Sequence, residues 1–271
     1  MFKFLYYGDF FEYKDVLKEN GYNGQDYMGI GQFIFLGIAI LAIILLCIFL
    51  RKINHKKIDI LLKILAIIIP LLEITKICVE TYFDVEHGHG FNEGGLLPLY
   101  TCSLFIYTLP IAAFGSGKAK ECCLAFITTL GIFAGLTNFV MAPILQNYPF
   151  FNFHTFVSLN FHFWMVFTGV FLISTKYYVP NWWDILKGFA PAAILSIFVI
   201  PMDYICDWDY MLYNRGWGTP PFISNLATTL TNKGMKWLYT LIIIIGYLAI
   251  NAIIVGIVQL TSSLKKKLKK V

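Results

Sequence analysis

Apolar runs of roughly 20 residues, separated by short polar stretches, recur along almost the whole chain. About 20 apolar residues in a helix span the ~30 Å hydrocarbon core of a bilayer. The runs predict seven crossings, over residues 30–50, 60–82, 96–114, 121–141, 155–173, 185–205 and 235–261, with Pro70 a potential kink in the second. Before them, residues 1–29 are mixed, and Phe10, Tyr13 and Leu17 recur at helical spacing, which predicts a short helix lying on the membrane interface. The expected fold is an all-α, polytopic membrane helix bundle. Its parts are an outer interfacial segment (1–29), a seven-helix transmembrane domain (30–261) and a basic cytoplasmic tail (262–271).

Charge orients the bundle. Segments falling alternately on one side carry 13 Lys and Arg (four, two, two and five), against six on the other, three of which are in the N-terminal segment; Lys63 and Lys76 lie within the second span. Basic loops stay in the cytoplasm, so the N-terminus is expected outside and the C-terminus inside, at the cell membrane. Composition agrees, with 58% hydrophobic and 14% charged residues, against about 45–50% and a quarter in soluble chains. The net charge of +5 comes from the tail after Leu264, which reads as a topology anchor at an anionic leaflet rather than a nucleic-acid arm. The first residues lack a signal-peptide core, so the first span is expected to direct insertion.

Ionisable groups inside a membrane are costly and are site candidates by default. At about 1.5 Å per residue, Cys102 of the third span and His162 of the fifth lie about 9 and 10 Å below the outer surface, level with each other. Glu73, Lys76 and Glu80 form one stripe of the second span, with Glu73 about 13 Å down. Asn138 and Asp203 belong to the same outer half, whereas the inner half is nearly pure Ile, Leu and Phe. A water-filled cavity under the outer surface is the expectation.

A lone cysteine is usually a small buried hydrophobe, and a lone histidine a helix-to-helix hydrogen bond. Together and level, they have the parts for nucleophilic acyl chemistry: imidazole takes the thiol proton, thiolate attacks an ester. Thr155 and Ser158 share the face of His162 and could orient it. Glu73, Lys76 and Glu80 read equally as a proton or cation relay and as an ion-pair stripe fixing register. No CxxC pair exists among the six cysteines, and His87 and His89 beside Asp84, Glu86 and Glu93 read as a solvated loop, so neither a metal nor another cofactor is expected.

Leu97-Pro98-Leu99-Tyr100-Thr101-Cys102 resembles the LPL-x-x-C signature of the YwaF-like bacterial integral membrane proteins, relatives of the eukaryotic transmembrane protein 164 acyltransferases. Glu73 with Lys76, and Phe161-His162-Phe163-Trp164, sit where that family has its acidic/basic pair and its histidine. The run from Asp203 to Leu212 is similar to its Asn-rich segment after span six, with Asp203 and Asp209 where Asn is usual and one histidine, His162, where relatives have two. The resemblance covers residues 28–260. It implies a phospholipid acyltransferase or transacylase with membrane phospholipids or lysophospholipids as partners, Cys102 as acyl-carrying nucleophile and His162 as base; Glu73, Lys76, Asn138 and Asp203 are the expected substrate-binding groups. The alternative is a small-molecule or ion transporter using the Glu/Lys/Asp cluster. A seven-span zinc hydrolase of the ceramidase type would need histidines in the last span, which has none.

Overall fold

The computed structural model describes residues 5, 7–24, 29–89, 97–141, 143–216, 219 and 221–268, with side chains given up to residue 264. Glu93 and the basic side chains from Lys265 onward lie outside the described residues. Ten α-helices and no strand occur among the described residues: α1 Lys14–Glu19, α2 Ile30–Leu50, α3 His55–Glu86, α4 Leu104–Phe114, α5 Gly117–Thr128, α6 Leu130–Met141, α7 Phe153–Ser174, α8 Asp184–Ile205, α9 Pro221–Asn232 and α10 Lys236–Leu268. Short 3-10 turns cover Pro143–Gln146 and Tyr210–Leu212.

Burial explains why these helices belong in a membrane. α2 exposes Ile30, Ile38, Leu41 and Phe49, α8 exposes Ile194, Ile197 and Phe198, and α10 exposes Ile253, Ile257 and Leu260. Surfaces of that kind are aggregation-prone in water and at home in hydrocarbon. Five helical stretches among the described residues are long and apolar enough to cross: Ile30–Leu50, Gly117–Gln146, Phe153–Ser174, Asp184–Ile205 and Lys236–Leu264. α3 is longer still at 32 residues, but Lys63, Glu73, Lys76 and Glu80 interrupt its apolar character. Pro70 sits inside α3 without ending it.

Two expected spans differ in shape. The helix expected from residue 96 begins only at Leu104; Pro98 disfavours helix at Leu97, and residues 97–103 run as bends and turns. The fourth expected span is broken at Thr129 (φ −127°, ψ −97°) into α5 and α6. There the hydroxyls of Thr128 and Thr129 donate back to the carbonyls of Leu124 (2.8 Å) and Ala125 (2.6 Å), which loosens the helix.

Packing follows from these breaks. α5 lies on α8, α6 on α7, and α4 between α3 and α5. A Cβ on Gly135 would lie 2.5 Å from Val166 Cγ2 and 3.2 Å from the His162 carbonyl, so α6 and α7 approach closely only because this residue has no side chain. Gly135→Leu is therefore expected to force the two helices apart and lower stability by about 1–3 kcal/mol; detergent-solubilised protein melting at an unchanged temperature would contradict that close packing.

The helical stripe of the N-terminal segment packs in part against the protein itself. Tyr13 and Leu17 are buried against protein, Tyr13 stacking on Phe83 and Leu17 packing with Tyr22 and Tyr148. Tyr13 donates to Asp84, Lys14 Nζ lies 3.7 Å from the same carboxylate, and Asp15 meets His89 at 2.7 Å. Burial first, and then the Asp84 carboxylate, push the Tyr13 phenol well above its ordinary range, so it remains a donor at any physiological pH. Asn152 caps α7 through the His154 N–H (3.0 Å) and donates to the Glu12 carbonyl (2.9 Å). At the opposite end of the bundle, buried Asp184 accepts from Tyr178 and Asn181, and Lys187 pairs with Glu121 at 2.9 Å.

Candidate active site

Cys102 lies on the turn that leads into α4, where the Phe105 N–H donates to the Cys102 carbonyl (3.0 Å) and the Leu104 N–H to that of Tyr100 (3.3 Å). Its thiol is partly exposed and free of any disulfide. His162 sits in the first half of α7 and is 5% exposed. Its Nδ1 is 2.7 Å from the Ser158 carbonyl oxygen. A carbonyl only accepts, so Nδ1 carries the ring proton and Nε2 keeps its lone pair. Nε2 is buried without a hydrogen-bond partner among the described residues. The orienting group is thus the Ser158 backbone, not the hydroxyl of Ser158 or Thr155.

Two cavities meet at this pair. The first, of about 160 Å³, is lined by Tyr100, Thr101, Cys102 and His162, by Phe133, Ala134, Thr137, Asn138 and Met141 of α6, and by Met211, Leu212, Thr219 and Tyr247. The second, of about 80 Å³, is lined by Glu73, Lys76, Leu97, Pro98, Ser103, Ser158 and Phe161, and again by Tyr100, Cys102 and His162. Cys102 and His162 therefore stand in the partition between an apolar cavity and a polar one. Glu73 and Lys76 are paired at 2.7 Å inside the polar cavity. Glu80 points the other way along α3, with its Oε1 3.5 Å from Nδ1 of buried His154, whose ring stacks on Tyr148.

Asn138 lines the apolar cavity, and its Oδ1 is buried without a partner among the described residues. Asp203 lines neither cavity. It is fully buried at the end of α8, where Oδ1 accepts the Tyr210 N–H (2.9 Å). There it holds the turn Tyr210–Leu212, while its Oδ2 is buried without a hydrogen-bond partner among the described residues. In that turn Met211 (φ 52°) and Leu212 (φ 62°) are both left-handed, a conformation costing about 1–3 kcal/mol per residue. Asn214 braces it through the Asp203 and Trp208 carbonyls (2.9 and 2.6 Å), and the Tyr247 hydroxyl donates to the Met211 carbonyl (2.7 Å). Tyr247 also bonds Thr101 Oγ1 at 2.8 Å, tying α10 to the residue before the thiol. Asp203→Ala should leave the Tyr210 N–H unpaired and cost about 1–3 kcal/mol, whereas Asp203→Asn retains the acceptor. Thermal unfolding that ranks the two variants equally would remove this role.

Sequence reasoning missed Tyr247, His154 and the Met211–Leu212 turn. In a chain with 16 Tyr only contacts distinguish a site tyrosine from one at a membrane interface.

A helical bundle with lipid-compatible flanks, in which a cysteine and a histidine line the same two cavities, defines an integral membrane protein with a candidate nucleophilic centre. The family model of the TMEM164 family matches residues 27–258, and the chain belongs to that family. No curated protein and no solved structure matches the chain.

Proposed function

We propose that this protein is a membrane-embedded, cysteine-dependent phospholipid acyltransferase or transacylase acting near the outer leaflet. The observation that carries the reading is the placement of Cys102 and His162 in one partition, with Nε2 of His162 buried and unbonded. His162 Nε2 takes the Cys102 proton, Sγ bonds to the acyl carbonyl carbon, and the ester C–O bond breaks as the same proton passes to the leaving alkoxide. A lysolipid hydroxyl then gives its proton to Nε2, its oxygen takes the acyl carbon, and the released thiolate is reprotonated. Metal and cofactor play no part in these steps.

The same reading includes topology. We infer seven crossings, with α3 and α4 added to the five apolar stretches, the N-terminus outside and the C-terminus cytoplasmic, on the strength of the Lys/Arg asymmetry. The three-part division at residues 29 and 261 goes with it. Membrane phospholipids and lysophospholipids are the partners. The acyl-transfer reading is preferred to transport because Asp203 lines neither cavity and its Oδ1 is engaged in a turn.

Mass spectrometry of protein taken directly from membranes is the test. It is expected to find a fatty acyl group on Cys102. Its absence from wild-type protein and from His162 variants, with flux that survives loss of Cys102 but not of Glu73, would instead favour transport.

A further inference from the structure

Cys102 is the meeting point of two cavities with opposite chemistry, and a thiol that merely cleaved one ester would need only one approach. Along the first cavity, Phe133, Ala134, Met141 and Leu212 present hydrocarbon. In the second stands the Lys76 ammonium, which has three donors and gives one to Glu73 Oε1 at 2.7 Å. Only Tyr100, Cys102 and His162 belong to both. We propose that the two cavities divide the reaction: the apolar one receives the acyl chain of the donor, and the polar one receives the acceptor, a hydroxyl compound bearing an anionic group such as a phosphate, steered by Lys76. This rests on the acyltransferase reading and deepens it.

The division has a chemical consequence. Once the acyl carbon is bonded to Sγ, its chain still fills the apolar cavity, so the second alcohol must arrive from the Lys76 side. Its O–H proton passes to His162 Nε2, the O–C bond forms, the S–C bond breaks, and the proton returns to sulfur. Because His162 borders both cavities, one base serves both halves. The acceptor site is small and holds the Lys76–Glu73 pair, which suits the hydroxyl and phosphate of a lysolipid headgroup and leaves its chain outside this cavity.

Two-sided access can be read without any turnover. Full-length protein in detergent is treated with an apolar alkylating reagent, N-decylmaleimide, or with the anionic reagent 2-sulfonatoethyl methanethiosulfonate. Modification at Cys102 is then timed by peptide mass spectrometry, apart from the other five cysteines. Ala134→Trp fills the apolar cavity and should slow the maleimide by about tenfold or more while leaving the sulfonate within about twofold. Thr137→Phe reaches the same cavity from one turn further along α6 and guards against misfolding of the first variant. Lys76→Met should slow the sulfonate about tenfold more than the maleimide, since both reagents need the thiolate but only the sulfonate also loses the attraction of the ammonium. Substitutions that slow both reagents alike, or neither, overturn the division. A crossed pattern in protein whose Cys102 never carries an acyl group keeps the two approaches and removes the acyl chemistry, so the two ideas fail separately.

Discussion

On the proposed acyltransferase reading, Cys102→Ala is expected to abolish acyl exchange between phospholipid and lysophospholipid by the purified protein, a loss on the order of 10⁴-fold or more, because without the nucleophile only binding and electrostatics remain. The substitution removes one sulfur from a turn whose backbone contacts, Leu104 N–H to Tyr100 O and Phe105 N–H to Cys102 O, do not involve it. The melting temperature should therefore change little, and lipid should still co-purify. The measurement is transfer of a labelled acyl chain in vesicles, with wild type alongside. Residual transfer at more than a few per cent of wild type would place the covalent step on another residue and end the thioester mechanism.

His162→Gln is the second large effect, expected at about 10²–10⁴-fold, the usual contribution of a positioned general base. Glutamine keeps similar bulk and can still donate to the Ser158 carbonyl, so packing of α7 is preserved while the basic nitrogen is lost. The loss should appear in both formation and discharge of the thioester, since the same nitrogen carries the proton each way. Single-turnover measurements separate the halves. A variant that forms the thioester at the wild-type rate would show that Cys102 is ionised by some other group.

Helix placement along the chain was legible because an apolar run has a defined start. α2 occupies the run expected for it, and α7 begins and ends close to the expected limits, so the part of α7 that carries His162 follows. Cys102 came to line the same cavities by a different route. The sequence pattern treats residues 96–114 as one run, and hydropathy does not register that the helix starts only at Leu104; the thiol is on a turn. Apolar periodicity is equally blind to the break at Thr129, which depends on hydroxyls bonding their own helix. Asp203 shows the limit of reasoning from charge. A carboxylate at membrane depth was expected to face a ligand; its Oδ1 instead takes an N–H seven residues further along the chain, while Oδ2 is buried without a partner among the described residues. α9 was missed because its residues, Phe222 and Leu226 among Ser, Asn and Thr, form too short an amphipathic stretch to stand out from a loop rich in Trp and Tyr.

The docked amino-terminal segment has one more consequence. The Leu5 carbonyl accepts the Phe151 N–H at 2.8 Å and the Phe10 carbonyl accepts that of Phe153 at 2.7 Å, so the first residues finish the start of α7 much as a neighbouring strand finishes a sheet edge. A chain shortened by its first dozen residues would bare those donors and strip the Phe10 ring from Phe151, Phe153 and Phe156. The helix that carries the imidazole would then fray from its first turn, about two and a half turns before His162.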